Sequence, residues 1–222
     1  SFKEDFLIGT ALNSGQIKEV NAVQTALITR EFNAITPEND LKWEQIHPKK
    51  DTYNFNVSDA YVAFGTKNNM HVVGHTLLWH SQLAPWVHEI TNKDTLVNNI
   101  TKHINTIAGR YKGKIDSWDV VNEALNEDGS PRESLFYKIF GDESYLELAF
   151  KLAEKAAPDA ALVYNDYNLW KPAKREGVIR IVQNLQAKGI RIDGVGMQAH
   201  WSLDGPSLED IENSIIAYAD LG

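Results

Sequence analysis

The chain has 222 residues, 43% of them hydrophobic and 23% charged, with a formal net charge of −8. That balance supports a substantial core of the ordinary globular kind, while an acidic surface without Lys/Arg-rich runs argues against nucleic acid or an anionic membrane as partner. There is no cysteine, which excludes disulfides, thiolate nucleophiles and Cys-ligated zinc; no run approaches the roughly 18 apolar residues of a membrane helix, and the opening "SFKEDFLIG" is not a charged-then-apolar leader.

Taken in chain order, six runs read as strands: "FLIGTALN" (6–13), "AITPEN" (34–39), "HVVGHTLLWH" (71–80), "SWDVVNE" (117–123), "ALVYNDYN" (161–168) and "DGVGMQAH" (193–200). Between them lie segments with helical spacing, clearest at 98–111, 143–157 and 173–189. Pro158 closes the second of these and Gly189 the third, and Asp142 or Ser144 of "GDES" is expected to cap the helix over 143–157. The chain closes on a further helix ending "IIAYADLG". No linker or low-complexity stretch divides it, so residues 1–222 are expected to form one domain.

Alternating strands and helices imply a parallel sheet covered by helices, either doubly wound or closed as a (β/α)8 barrel. A doubly wound sheet usually carries a Gly-rich turn after its first strand, and "NSGQIKE" (13–19) has no such pattern. The strands instead end on polar residues: Asn13; Glu38 and Asn39; His75, Trp79 and His80; Asn122 and Glu123; Asn165 to Asn168; Gln198 and His200. One polar strand end is usually a cap. Six in succession match a barrel, whose working face gathers the C-terminal ends of its strands. An α/β fold of the TIM-barrel type is therefore expected. Only about six β/α units are present, so the domain is expected to be C-terminally incomplete, because an open barrel leaves strand edges unpaired.

Glu123 is the leading catalytic candidate. A carboxyl group at a strand end in an apolar cleft keeps its proton more readily, since desolvation disfavours the charged form, and such an acid suits proton transfer. A lone Glu more often caps a helix or pairs with Arg; here Asn122 precedes it and other strand ends converge on it. In "TPENDLKW", Glu38, Asn39 and Lys42 supply the mixed donors and acceptors that a hydroxylated neutral substrate needs, although Pro37, Asn39 and Asp40 suit a helix start equally well. His71, His75, His80 and His88 invite a metal reading. Residues 71 and 75 share a strand face but 80 has the opposite parity, and neither a His-x-His pair nor an H-E-x-x-H helix is present. No metal or cofactor is expected, and a metal-dependent barrel hydrolase is the lesser alternative.

In order and approximate spacing, "TPENDLKW", "GHTLLWHSQ", "WDVVNEAL", "YNDYN" and "GVGMQAHW" resemble the motifs of the endo-β-1,4-xylanases of glycoside hydrolase family 10. The resemblance spans essentially the whole chain. It implies a barrel, retaining hydrolysis of β-1,4-xylosidic bonds, and xylan and xylo-oligosaccharides as partners. It implies Glu123 as acid/base and Asn122 as the holder of the 2-hydroxyl at the cleavage point. Glu38, Asn39 and Lys42, with His75, Trp79 and Gln82, are implied as contacts to the non-reducing side. Tyr167 is implied as an aromatic on the leaving-group side, and Gln198 with His200 as the pair that positions the nucleophile. That nucleophile is a second glutamate at the end of the family's seventh strand. Glu209 and Glu212 fall within the expected last helix and do not substitute for it. The family pattern thus implies that a C-terminal segment, of the same or another chain, completes the site, and that without it the chain is inactive or a xylan-binding remnant. A polymer such as xylan does not readily enter a cell, so a secreted protein is expected.

Overall fold

Runs buried on both faces form parallel strands, because helices on one side and the barrel interior on the other remove alternation. The strand 117–122 has five buried residues of six. In the computed structural model, which describes residues 5–222, six strands pair in parallel and in chain order: β1 (Gly9–Leu12), β2 (Ala34–Pro37), β3 (His71–Trp79), β4 (Ser117–Asn122), β5 (Ala161–Asp166) and β6 (Gly194–Met197). Helices α1 (Ser14–Ile17) and α2 (Ala22–Glu31) follow β1, and α3 (Trp43–Ile46) and α4 (Asn56–Lys67) follow β2. A 3-10 turn over Pro85–Glu89 and α5 (Lys93–Arg110) follow β3; α6 (Leu135–Phe140) and α7 (Ser144–Ala156) follow β4. The last two are α8 (Pro172–Ala187) after β5 and α9 (Leu208–Ala219) after β6.

Local chemistry sets the helix boundaries. Asn13 at the end of β1 serves as a cap: its side chain accepts from the N–H groups of Gly15 and Gln16, and the Gln16 side chain accepts from the Asn13 N–H in return. Asn92 accepts from the Thr95 N–H at the head of α5, which buries Leu96, Ile100, Ile104 and Ile107 on one face. Neither residue expected to cap α7 does so: the cap position is Glu143, without a side-chain bond, and Asp142, one residue earlier, accepts from the Ser144 N–H (2.9 Å) in the turn that leads in. Pro172 opens α8, and Gly189, at φ +63°, turns the chain just past its end.

The strands are shorter than their apolar runs. β1 starts at Gly9 rather than at residue 6, since Leu7 and Ile8 are exposed on a strand with a single neighbour. β6 stops at Met197 because Ala199, at φ +52°, bends the chain away after Gln198 has bonded the Asp166 carbonyl (3.1 Å). Apolar side chains stay exposed beside both edge strands: Val20, Val23 and Leu27 follow β1, and Trp201, Leu203, Leu208, Ile215 and Ile216 follow β6.

Inside, Trp118 of β4 is fully buried and lies against Gly74 of β3. A Cβ at position 74 would run into the Trp118 indole. Gly74→Ala is therefore expected to destabilise the fold by roughly 1–3 kcal/mol. The measurement is urea unfolding, with a lowered midpoint at unchanged slope; an unaltered midpoint would show that the ring can move aside at no cost.

Candidate functional site

The site begins where β4 ends. Asn122 is buried, and the next residue, Glu123, adopts a left-handed backbone at φ +58°. Its N–H donates to the Asn165 carbonyl (2.9 Å), while its own carbonyl accepts from Arg132 Nε (2.9 Å). That turn delivers the carboxylate among three strand ends. Oε2 accepts from Trp79 Nε1 of β3 (2.9 Å), and Oε1 accepts from Gln198 Nε2 just beyond β6 (3.1 Å). Two assignments of the Asn122 amide oxygen and nitrogen are compatible with its neighbours. In one, its oxygen accepts from Asn165 Nδ2 (3.0 Å) and Gln198 Nε2 (3.1 Å). In the other, its nitrogen donates to the Asn165 carbonyl (3.1 Å) and its oxygen accepts from Trp79 Nε1 (3.2 Å).

On the β2 flank, Lys42 Nζ donates to Asn39 Oδ1 (2.9 Å) and stands 5.0 Å from the centre of the Trp79 ring. Partial burial lowers the Lys42 pKa, against the pull of the Glu123, Glu44 and Glu38 carboxylates. Gln82 Nε2 donates to Glu44 Oε1 (3.1 Å) and reaches Asn39 Oδ1 (3.4 Å). On β3, His75 Nδ1 lies 2.7 Å from Asp119 Oδ2, and His71 Nε2 lies 3.1 Å from Ser117 Oγ. The shared face expected of 71 and 75 is thus turned toward β4. Burial, then the positive charge of Arg132, pushes the His80 pKa down. The imidazole at 80 is accordingly neutral near pH 7.

On the β5 flank, Asp166 is fully buried and accepts from the Tyr164 hydroxyl (2.6 Å) and the Tyr167 N–H (2.8 Å). It also pairs with Lys174 Nζ (2.9 Å), itself fully buried. Burial pushes Asp166 up, and the Lys174 charge opposes it. Lys174 Nζ sits 3.5 Å from the centre of the Tyr167 ring, whose hydroxyl accepts from Arg132 Nη2 (2.9 Å).

Of the residues expected from sequence, Asn39, Lys42, Trp79, Gln82, Asn122, Glu123 and Gln198 form one contiguous polar face. His75 adjoins it, its ring centroid 6.3 Å from that of Trp79. Tyr167 lies on the opposite flank, reached through Arg132. Glu38 is exposed and acts on Lys42 through its charge; His200 is exposed beyond β6. Sequence reasoning passed over Asp119, Arg132 and Lys174, and had Asn165 only as one of several polar strand ends. Asp119 had a usable signal, as an acid inside the apolar run that ends at Glu123. Arg132 sits in an aperiodic loop, and nothing in its neighbourhood marks it. Among the described residues no three His, Asp or Glu side chains are placed to hold a metal, and no helix is long and apolar enough to cross a membrane.

The sequence profile described as glycosyl hydrolase family 10 matches residues 1–222. The chain belongs to that family. It is 45% identical to the endo-1,4-β-xylanase A of Xylanibacter ruminicola, over 98% of this chain and 60% of that protein. Among solved structures it superposes with a TM-score of 0.95 on a family 10 endoxylanase retrieved from sugarcane soil metagenome, at 44% identity, covering 100% of this chain and 67% of that one. With xylanase 10B of Thermotoga petrophila, solved in complex with xylobiose, the TM-score is 0.94 at 38% identity, over 99% of this chain and 68% of that one. The six parallel strands are thus a partial barrel that matches the TIM barrels of family 10, and the chain spans about 60% of the curated relative's length.

Beneath the Lys42 loop of this family 10 chain lies a stack of buried rings. Trp43 stacks on His103 (centroids 3.7 Å apart), His47 stacks on Tyr53 (4.1 Å), and Nδ1 of His47 lies 3.1 Å from Nδ1 of His103. Burial pushes His47 down to about 4, with Asp51 opposing and Lys102 assisting; burial and His47 push His103 well down too. Both rings are therefore neutral in the fold, whereas in the unfolded chain they take up protons near pH 6.5. Between those values the unfolded state binds more protons, so stability rises with pH across the window and is lost as pH falls from about 6.5 towards 4. For His47 alone the loss is on the order of 2–3 kcal/mol. Urea unfolding measured from pH 7 to pH 4 should show it, and a flat profile through that window would contradict it.

Proposed function

We propose that the protein containing this chain is an endo-acting, retaining glycosidase that cleaves β-1,4-xylosidic bonds in xylan and xylo-oligosaccharides, with residues 1–222 as the larger part of a single catalytic barrel domain. One observation carries the reading: the Glu123 carboxylate stands at the C-terminal face of a family 10 sheet with one oxygen held by Trp79 of β3 and the other by Gln198 just past β6. Glu123 protonates the leaving oxygen, then takes a proton from the water that releases the covalent intermediate. Asn122 holds the 2-hydroxyl of the sugar at the cleavage point. Glu38, Asn39, Lys42, His75, Trp79 and Gln82 bind the non-reducing side, and Tyr167 meets the leaving half. Gln198 and His200 orient the second carboxylate.

That second carboxylate lies, in this reading, beyond Gly222, in a segment that pairs with the free edges of β6 and β1. A retaining double displacement needs the two carboxyl groups about 5–5.5 Å apart. The edge geometry and the exposed apolar side chains beside both edge strands support such a completion. Because xylan is a polymer, the full protein acts outside the cytoplasm.

In the full-length protein, Glu123→Ala should lower xylan hydrolysis by about 10²–10⁴-fold. An aryl xyloside with a good leaving group should still form the intermediate and stall there, with azide restoring turnover. Unchanged xylan hydrolysis by that variant would refute the assignment of Glu123. The 222-residue chain by itself is expected to release no reducing sugar from xylan under conditions where the full-length protein does; equal activity of the two would place the second carboxylate within this chain.

A further inference from the structure

Arg132 belongs to the loop between β4 and α6, and every bond of its guanidinium goes to the strand ends that flank the cleavage point. Nε donates to the Glu123 carbonyl (2.9 Å), and Nη2 donates to the Leu125 carbonyl (2.9 Å) and to the Tyr167 hydroxyl (2.9 Å). The Arg132 N–H also donates to the Ala124 carbonyl (2.7 Å), which fastens the loop at its base. The left-handed backbone of Glu123 ends the regular ladder of β4, so its carbonyl needs another donor. A residue bearing a Cβ keeps that conformation only where its surroundings hold it. A guanidinium does so well, since its planar fork serves several acceptors at fixed angles, which an ammonium does not.

The remaining contacts close a circuit. Tyr167 rests on Lys174 (3.5 Å from Nζ to the ring centre), Lys174 pairs with Asp166 (2.9 Å), and Asp166 accepts from the Tyr164 hydroxyl (2.6 Å). The Tyr164 oxygen in turn accepts from the Ala124 N–H (3.1 Å), one residue past Glu123. Lys174, Asp166 and Tyr164 are fully buried, whereas Arg132 and Tyr167 are half-buried and form the outer link.

We infer that Arg132 is a positioning residue that locks the Glu123 backbone and the Tyr167 ring into one rigid unit, so that proton delivery and the grip on the leaving half of a xylan chain depend on each other. The inference rests on the reading of Glu123 as acid/base and Tyr167 as a leaving-side contact. It predicts a loss that depends on the leaving group, which a mere loop staple would not cause.

The test uses the full-length protein with two substrates. Xylohexaose needs both the proton and the leaving-side contact; 2,4-dinitrophenyl xylobioside needs neither for its first step. Arg132→Lys and Arg132→Met should lower kcat/KM for xylohexaose by about tenfold or more, and for the aryl glycoside by less than about threefold. Tyr167→Phe, which deletes only the linking hydroxyl, should raise KM for xylohexaose. The double variant Arg132→Lys/Tyr167→Phe should lose little more than Arg132→Lys alone. Equal losses on both substrates, no loss on either, or additive losses in the double variant would overturn the inference. If Arg132→Met does not fold, the lysine variant and the double variant decide it. Wild-type protein inactive on both substrates would instead remove the functional reading itself.

Discussion

The hydrogen bond from the Glu123 N–H to the Asn165 carbonyl (2.9 Å) is the last rung between β4 and β5, and the site hangs from it. One residue earlier the chain is ordinary parallel strand. At Glu123 the backbone turns left-handed, a conformation that costs of order 1–3 kcal/mol for a residue with a Cβ. The turn points the carboxylate along the strand direction, toward Trp79 and Gln198, rather than to either face of the sheet. Because all six strands run parallel, every strand end lies on the same face, and one such turn suffices to bring side chains from β3, β4 and β6 together. Gln82, Asn168 and Ala199 share the left-handed conformation near other strand ends. Four of the seven non-glycine residues with positive φ among those described thus fall just past strand ends, while Glu19, Asp51 and Asn69 lie in turns elsewhere.

Such strain persists only over a rigid base, and two buried polar groups supply it. The Lys174–Asp166 pair is fully enclosed, and burying two charges costs several kcal/mol per ion unless geometry and further hydrogen bonds offset it. Here Asp166 has two hydrogen-bond donors besides its ion pair, and Lys174 has the Tyr167 ring face besides. On the opposite flank the His47–His103 pair and the Trp43 ring lie directly under the loop that carries Lys42. Each flank of the site therefore stands on a specific polar contact, and apolar packing fills the space between them. Apolar packing sets volume and shape without direction, whereas a buried hydrogen-bonded pair also fixes the angle between its partners.

The edges of the sheet obey a different constraint. β1 and β6 each have one neighbour, and the apolar residues beside them remain in water. A closed barrel has no such edges, which is why solved family 10 structures of which this chain covers about two thirds provide the natural frame for it.

Much was legible without coordinates. Apolar runs separated by helical spacing located all six strands, and the polar residues that closed those runs marked Asn122, Glu123, Trp79 and Gln198, which the fold brings together. Those are properties of local pattern, since periodicity depends only on neighbours along the chain. What tertiary structure decided is which strand ends touch, and how. Asn13, polar at a strand end like the others, proved to be a helix cap, because its side chain meets the amides of its own next turn first. Arg132 lies nine positions from Glu123 in a loop without periodicity, yet it holds the Glu123 carbonyl. The His47–His103 pair joins residues 56 positions apart. The left-handed turn at Glu123 has no glycine to announce it. Sequence alone determined the six strands, the helices α5, α7, α8 and α9, and the acid at the end of the fourth strand; only the folded sheet determined its donors, because those contacts arise between segments that the chain pattern does not connect.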